Sequence, residues 1–342
     1  MTKPAATTEA YPTYLPPLPG WVTQNHGNTL ELETFLSGAS LAMLHMLLAD
    51  PGGVLPAELL RNRLALRAAE TCLKLEGRRD SEAEIRDAYY LARAGDASGA
   101  ASAMGPAGEM YVRWRKASAI GLTHKDWLPR LKACVPEQIA QELPEWIDAV
   151  GQGGPAAIGS PIANRRPVAN GSPMDQAAKM VGLVIAAFPR EEASALICGD
   201  MVLARALGWS HPLPLLGVHL KRRDLQATED DLLIACCRAV AKGAQDAVRL
   251  SHDLTRRALR LREVAPKLRA KGSAEAVALF LREDAVMPST MLTRVTLPSP
   301  KIKGTKIAMT DRAARRFCDR LVELGVVREL TGRPTFRLYG LA

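Results

Sequence analysis

The strongest constraint on the fold comes from the stretch 309–341, which reads MTDRAARRFCDRLVELGVVRELTGRPTFRLYGL. Its first half has the period of an amphipathic helix. Thr310 is placed to accept an amide hydrogen bond in the first turn, and Asp311 suits the positive end of the helix dipole. The predicted apolar side consists of Ala313, Ala314, Phe317, Cys318, Leu321 and Leu324. The opposite side carries Arg312, Arg315, Arg316, Asp319, Arg320 and Glu323. Gly325 then stands where helices commonly end in a left-handed residue, which completes the prediction of one helix.

Two short strands are predicted after this helix, over 326–330 and 335–339, because both stretches are rich in strand-forming residues. The residues between them, Thr331 to Pro334, are typical of a turn. A helix followed by a β-ribbon with arginine at its tip is typical of a winged helix-turn-helix, with Arg333 on the wing. We predict that unit over 273–342, with its first two helices at 273–283 and 285–295.

The remaining sequence predicts a mainly α fold, in which a multi-helix bundle body precedes the winged helix-turn-helix and its small β-wing. The predicted parts are a flexible proline-rich lead at 1–29, a helical domain at 30–150, a linker at 151–173 and a second helical region at 174–272. The linker is dense in Gly, Pro, Asn and Ser, so it could move as a hinge or lie ordered on the surface. One long helix is predicted at 228–262, with Thr228 as its cap.

The positive charge of the chain is concentrated near its C-terminus. Residues 251–342 hold 19 Lys and Arg against 9 Asp and Glu, a net charge of +10, whereas residues 1–250 hold 26 and 27, a net charge of −1. A basic region that coincides with a predicted DNA-binding unit indicates attraction to a phosphate backbone. The alternative is a basic surface that only keeps the protein in solution.

Predicted DNA contacts fall into three groups. On the helix they are Thr310, Arg312, Arg315, Arg316 and Arg320, since arginine can bind guanine through two hydrogen bonds in the major groove. On the wing they are Arg328, Arg333 and Arg337, near the phosphate backbone or the minor groove. In the preceding loop, 296–308, they are Lys301, Lys303 and Lys306, which could equally serve only solubility. The alternative is a winged helix that contacts another protein, with its arginines paired to Asp319, Glu323 and Glu329.

Two features of the sequence indicate where in the cell the protein is located. No stretch approaches ~20 uninterrupted apolar residues, and the N-terminus lacks the apolar segment of a signal peptide. We therefore predict a cytoplasmic protein without a membrane contact.

The six cysteines form no CxxC pair and mostly lie in apolar helical patterns, which favours buried reduced thiols over a zinc site. No cofactor or metal is predicted.

One stretch invites comparison with an active site. The segment 211–219, HPLPLLGVH, begins like the histidine-proline start of the Fic-type nucleotidyl-transfer motif. It lacks the acidic residue, the Gly-Asn-Gly anion nest and the arginine that complete that motif, so we predict a packed turn. His45 lies between Leu44 and Met46 on a predicted core helix, which favours a core histidine over a base. With no GxGxxG, Walker or HExxH motif in the chain, we predict that the protein is not an enzyme.

Several long strings resemble a known family, among them RNRLALRAAE, GPAGEMYVRWR, LARALGWSHPLPLL and VAPKLRAKGSAEAVALFLREDAV, together with the C-terminal stretch. They look like the bacterial domain-of-unknown-function family 1403, from about Leu30 to the C-terminus. That resemblance implies no activity, substrate or catalytic residue. The tail alone is similar to the winged helix that closes many Fic-type proteins.

These patterns predict a DNA-binding protein, either a transcriptional regulator or a DNA-maintenance factor. The C-terminal winged helix would bind double-stranded DNA, and the helical body would bind a partner, form a homo-oligomer or sense a signal. The alternative is a non-enzymatic interaction or scaffold protein whose winged helix contacts another protein.

Overall fold

The computed structural model describes residues 19–23, 29–49, 53–98, 104–151, 171–268, 272–294, 296–298, 306–333 and 335–342. Helices account for most of these residues, and the mainly α fold predicted from the sequence is confirmed. Every helix in these ranges is too short or too polar to cross a bilayer.

Twelve helices form the body of the molecule within the described ranges. They are α1 (Gly20–Thr23), α2 (Leu30–Leu48), α3 (Ala57–Leu75), α4 (Glu82–Ser98), α5 (Gly105–Ser118), α6 (Trp127–Lys132), α7 (Glu137–Gly151), α8 (Pro173–Ala187), α9 (Glu192–Ala206), α10 (Leu216–His219), α11 (Arg222–Leu225) and α12 (Glu229–Val264). A 3-10 turn, Ala265–Lys267, follows α12.

The C-terminal unit comprises everything after that turn. It contains α13 (Ser273–Phe280), a π-helical turn (Pro288–Leu292), strands β1 (Thr296–Pro298) and β2 (Lys306–Ala308), α14 (Asp311–Glu323), and strands β3 (Val327–Glu329) and β4 (Tyr339–Leu341). β1 pairs antiparallel with β2, and β3 pairs antiparallel with β4 in the register Val327 to Leu341 and Glu329 to Tyr339. On the other side of β4, Val286 forms an isolated antiparallel bridge with Tyr339.

The long helix α12 organises the body. It packs along α2 and also contacts α8, α10 and α3. With 36 residues it is about 54 Å long at the usual rise of an α-helix. Three acidic residues, Glu229, Asp230 and Asp231, lie in its first turn, where the helix dipole favours negative charge. Thr228 precedes them as predicted, but its hydroxyl lies 3.0 Å from a carboxylate oxygen of Asp231 and caps no amide.

The segment before α10 passes through the core. Leu213 and Leu215 are buried there, as is Leu216 at the start of α10, which confirms the packed turn predicted for HPLPLLGVH. Gly243 of α12 makes this possible, because a Cβ at that position would lie 2.8 Å from the carbonyl oxygen of Leu215. The apolar residues of the body and those of the C-terminal unit belong to one contiguous core cluster.

Three local predictions for the C-terminal unit are wrong. The stretch 285–295 was expected to be a helix, but it contains the bridge residue Val286 and only a short π-helical turn that begins at Pro288. The loop expected at 296–308 carries the paired strands β1 and β2. The second strand of the ribbon begins at Tyr339 and not at 335, because Phe336 has a positive φ of 54° that is incompatible with a strand.

Most of the predicted linker, from 152 to 170, lies outside the described residues. Its C-terminal end forms a capping box at the start of α8. The Ser172 hydroxyl accepts from the Asp175 amide at 3.2 Å, and the Asp175 carboxylate accepts from the Ser172 amide. The division of the chain at 151–173 stays a prediction. All six cysteines are buried and free, as predicted.

Candidate nucleic-acid interface

Helix α14 has the boundaries and the two faces that its sequence predicts. The Thr310 hydroxyl accepts from the Ala313 amide at 3.3 Å. At the other end Gly325 has φ +67°, the Val326 amide donates to the Leu321 carbonyl at 3.1 Å, and the Gly325 amide donates to the Val322 carbonyl at 2.9 Å. This pair of bonds is a Schellman motif, in which glycine tolerates the left-handed conformation. Ala314, Phe317, Cys318 and Leu321 are buried.

The arginines of α14 all lie on its exposed face but differ in their partners. Arg315 forms an ion pair with Asp311 at 3.0 Å, and Arg320 forms one with Glu323 at 2.8 Å. Arg312 and Arg316 are exposed, and neither side chain has an ion pair or hydrogen bond with another described residue. They are four positions apart in the sequence, so they lie about one turn apart on the same side of the helix.

The arginines of the ribbon that follows α14 differ in their exposure and in their partners. Arg328 is exposed on β3. Arg333, predicted at the tip of a wing, forms an ion pair with Asp87 of α4 at 2.7 Å, so the ribbon lies against the body. Arg337 lies 3.6 Å from the Glu329 carboxylate, and its Nε donates to the Arg333 carbonyl. Lys301 and Lys303 lie outside the described residues, whereas Lys306 is the first residue of β2.

Two exposed apolar side chains accompany these arginines. Val322 on α14 is 40% exposed, and Phe336 in the loop between β3 and β4 is 58% exposed. Solvent-exposed aromatic residues are common in protein interfaces, where they supply much of the buried area. The C-terminal unit therefore presents both cationic and apolar groups.

A buried carboxylate anchors the C-terminal unit to the body. Asp284, between α13 and the π-helical turn, accepts hydrogen bonds from Arg63 of α3, at 3.1 Å, and from Arg86 of α4. Burial lowers the pKa of Arg63 in spite of this partner. Burial also acts to lower the pKa of Arg86, but the charge and hydrogen bond of Asp284 together with the charge of Glu82 outweigh it, and the pKa is raised. The two guanidinium groups thus hold a carboxylate that water barely reaches.

Neighbouring contacts extend this anchor. Glu283 forms an ion pair with Arg115 of α5 at 2.9 Å and accepts from the Tyr90 hydroxyl. Arg63 and Arg257 both donate to the carbonyl oxygen of Leu341 on β4. No motif in the sequence indicates these pairings, because the paired residues lie far apart along the chain.

The histidines of the 211–219 segment lie in different surroundings. His219 Nε2 lies 2.9 Å from the Asp246 carboxylate of α12. His211 lines a cleft together with Arg61 and His45. His45 was predicted to be a core histidine, and that prediction is wrong. Its side chain is exposed, because the side of α2 that packs on the core carries Leu41, Leu44 and Leu47, and His45 lies away from that side.

The comparisons with known proteins bear on the family of the chain. The model of the family described as "Protein of unknown function (DUF1403)" matches residues 6–341. A search of the curated proteins finds no match.

Proposed function

We propose that this chain, which belongs to the DUF1403 family of proteins of unknown function, binds double-stranded DNA through its C-terminal unit. The observation that carries the proposal is the pair Arg312 and Arg316, exposed on one side of α14 without a partner among the described residues. A guanidinium group that has no carboxylate beside it is available to a phosphate oxygen or to the edge of a guanine.

The order of elements supports the same proposal. α13, the π-helical turn and α14 are followed by the β3–β4 ribbon, and Val286 bridges to the outer side of β4. Three helical segments with a small sheet in the order Val286, β4, β3 are what a winged helix-turn-helix requires, and α14 then takes the position of the recognition helix. The similarity of the tail to the winged helices of Fic-type proteins stays a prediction.

The ion pairs of the other arginines reduce the number of residues that we assign to the proposed DNA contact. Arg315 and Arg320 already neutralise acidic neighbours on α14, and Arg333 is held by Asp87. We therefore assign the main contact to Arg312 and Arg316, with Thr310 and Arg328 near the phosphate backbone. The helical body would connect this contact to a partner, a second copy or a signal, in a transcriptional regulator or a DNA-maintenance factor.

Fluorescence anisotropy with random-sequence duplex DNA over a series of salt concentrations tests the proposal. We compare the full-length protein with the double variant Arg312→Ala/Arg316→Ala, because removal of the whole unit would expose the core that it shares with the body. For each phosphate contact removed, the slope of the logarithm of the association constant against the logarithm of the salt concentration should become shallower by about 1. Loss of a contact to a base should weaken the free energy of binding by about 1–3 kcal/mol.

The matched control removes the same charge elsewhere. Arg79 and Arg190 are exposed in the body, so Arg79→Ala/Arg190→Ala should bind like the wild type. Equal loss in both double variants would indicate unspecific attraction by net charge. If the full-length protein does not bind duplex DNA even at low salt, the proposal fails.

A second candidate is a protein-binding role for the same unit, favoured by the exposed Val322 and Phe336. Co-purification separates the two roles. A partner that is retained by Arg312→Ala/Arg316→Ala but lost from Val322→Glu/Phe336→Glu would favour the protein interface, particularly if duplex DNA does not bind.

A further inference from the structure

A cleft in the body lies where the end of α2 and the start of α3 meet the turn after α9. Its volume is ≈ 240 Å³. The described residues that line it are His45, Leu48, Ala49, Ala57, Arg61, Gly208, Trp209, Ser210, His211 and Leu213. Neither the DNA contact nor the anchor around Asp284 includes any of these residues, so the cleft needs an explanation of its own.

Arg61 is the main charged group of the cleft. Its side chain has neither a hydrogen bond nor an ion pair with another described residue, although it is largely covered. Burial lowers the pKa of this guanidinium, and the charge of Glu58 offsets that only in part. Glu58 itself is half exposed and lies 3.9 Å from Arg282. A partly desolvated cation without a partner is unfavourable, and an anion in the cleft would relieve that cost.

Further hydrogen-bond donors face the same space. The Trp209 indole donates to Nδ1 of His45 at 3.0 Å, so a neutral His45 carries its proton on Nε2 and can donate from there. His211 Nδ1 lies 3.1 Å from the Ser210 hydroxyl. The described lining contains no carboxylate, whereas Leu48, Ala57 and Leu213 supply an apolar wall. A lining that combines cationic and donor groups with apolar groups suits an amphipathic anion.

We propose that this cleft binds a small organic anion, whose carboxylate or phosphate group contacts Arg61 and the two histidines and whose apolar part lies against Leu48 and Leu213. The volume is slightly below the range of about 300–1,000 Å³ that is usual for small-molecule sites, so the ligand has the size of a small metabolite. This site does not depend on the DNA proposal, because the two share no residue.

Isothermal titration calorimetry on the full-length protein tests the site with three probes, inorganic phosphate, phenyl phosphate and benzoate. We expect saturable binding of at least one aromatic anion. Stronger binding of phenyl phosphate than of benzoate would identify a phosphate ligand, and the reverse order a carboxylate ligand. Arg61→Gln should weaken the binding at least about tenfold, whereas Arg79→Gln, which removes an exposed arginine outside the cleft, should leave it unchanged.

Thermal unfolding without ligand gives an independent readout. Because the Arg61 side chain has no hydrogen-bond or ion-pair partner among the described residues, Arg61→Gln should unfold at the same temperature as the wild type or at a higher one. A lower unfolding temperature would assign Arg61 a structural role and overturn the proposal. The proposal is also overturned if none of the probes binds saturably at about 10 mM, far above any useful Kd, or if Arg61→Gln binds as the wild type does.

Discussion

At the scale of the residue, Asp200 of α9 shows how one buried carboxylate holds a segment of backbone. Its side chain is buried and accepts from the amides of Leu215 at 3.0 Å, Leu216 at 2.9 Å and Gly217 at 3.2 Å. Burial raises the pKa of Asp200 to about 7, although the three amide donors favour the charged form. The first turn of α10 is thereby held without a cap from its own sequence.

The raised pKa of Asp200 predicts a specific pH dependence of stability. Below the unfolded-state pKa near 3.8, Asp200 is protonated in both the folded and the unfolded protein. The stabilisation that comes from its raised pKa is fully present there, and it is lost as the pH rises through the folded-state pKa of about 7. The free energy of unfolding of the wild type relative to Asp200→Asn should therefore fall between about pH 4 and pH 7 and level off above. Urea unfolding at each pH measures both proteins, and a difference that does not change with pH would contradict the prediction.

At the scale of the element, α14 is stabilised by hydrogen bonds at both of its ends. The Thr310 cap and the Schellman motif around Gly325 satisfy backbone groups that the helix leaves unpaired. We expect Thr310→Ala to lower the free energy of unfolding by about 1 kcal/mol, because it leaves the Ala313 amide without its acceptor. Thr310→Ser keeps the hydroxyl and is the matched control, measured by urea unfolding. Equal stability of Thr310→Ala and wild type would show that solvent replaces the cap.

At the scale of the whole molecule, buried charge joins the C-terminal unit to the body. Asp284 lies between two guanidinium groups, and its side chain is 1% exposed. The Asp87–Arg333 pair connects the same two parts but is more open to water, with side chains 20% and 46% exposed. Both contacts hold the unit in one position, at very different degrees of burial.

These two contacts predict unequal losses of stability. Asp284→Asn leaves Arg63 and Arg86 buried without a counter-charge, so the free energy of unfolding should fall by about 3–5 kcal/mol. Asp87→Asn breaks a screened pair and should cost about 1 kcal/mol or less. Chemical denaturation of both variants measures the contrast. Losses of similar size would mean that water reaches Asp284.

The sequence predicts features whose physical cause is local. The buried side of α14, its exposed arginines and its terminal signals depend on residues within a few positions of one another, and the structure confirms each of them. The buried cysteines and the packed 211–219 segment follow from apolar composition in the same way. Where the local signal is weak, the prediction is wrong. This is so for His45 on α2, whose exposed side also carries the apolar Phe35 and Met46, and for the stretch 285–295, which Pro288 interrupts.

The sequence by itself determined the mainly helical fold and the chemistry of the arginine face on α14, because helical periodicity and capping act over a few residues. Only the tertiary structure decided the partners of those charges. Arg63 and Arg86 lie 221 and 198 positions from Asp284, and Arg333 meets Asp87 across the unit and the body. The same holds for the cleft that brings Arg61, His45 and His211 together. Such contacts depend on how helices pack against one another, which no periodicity along the chain specifies.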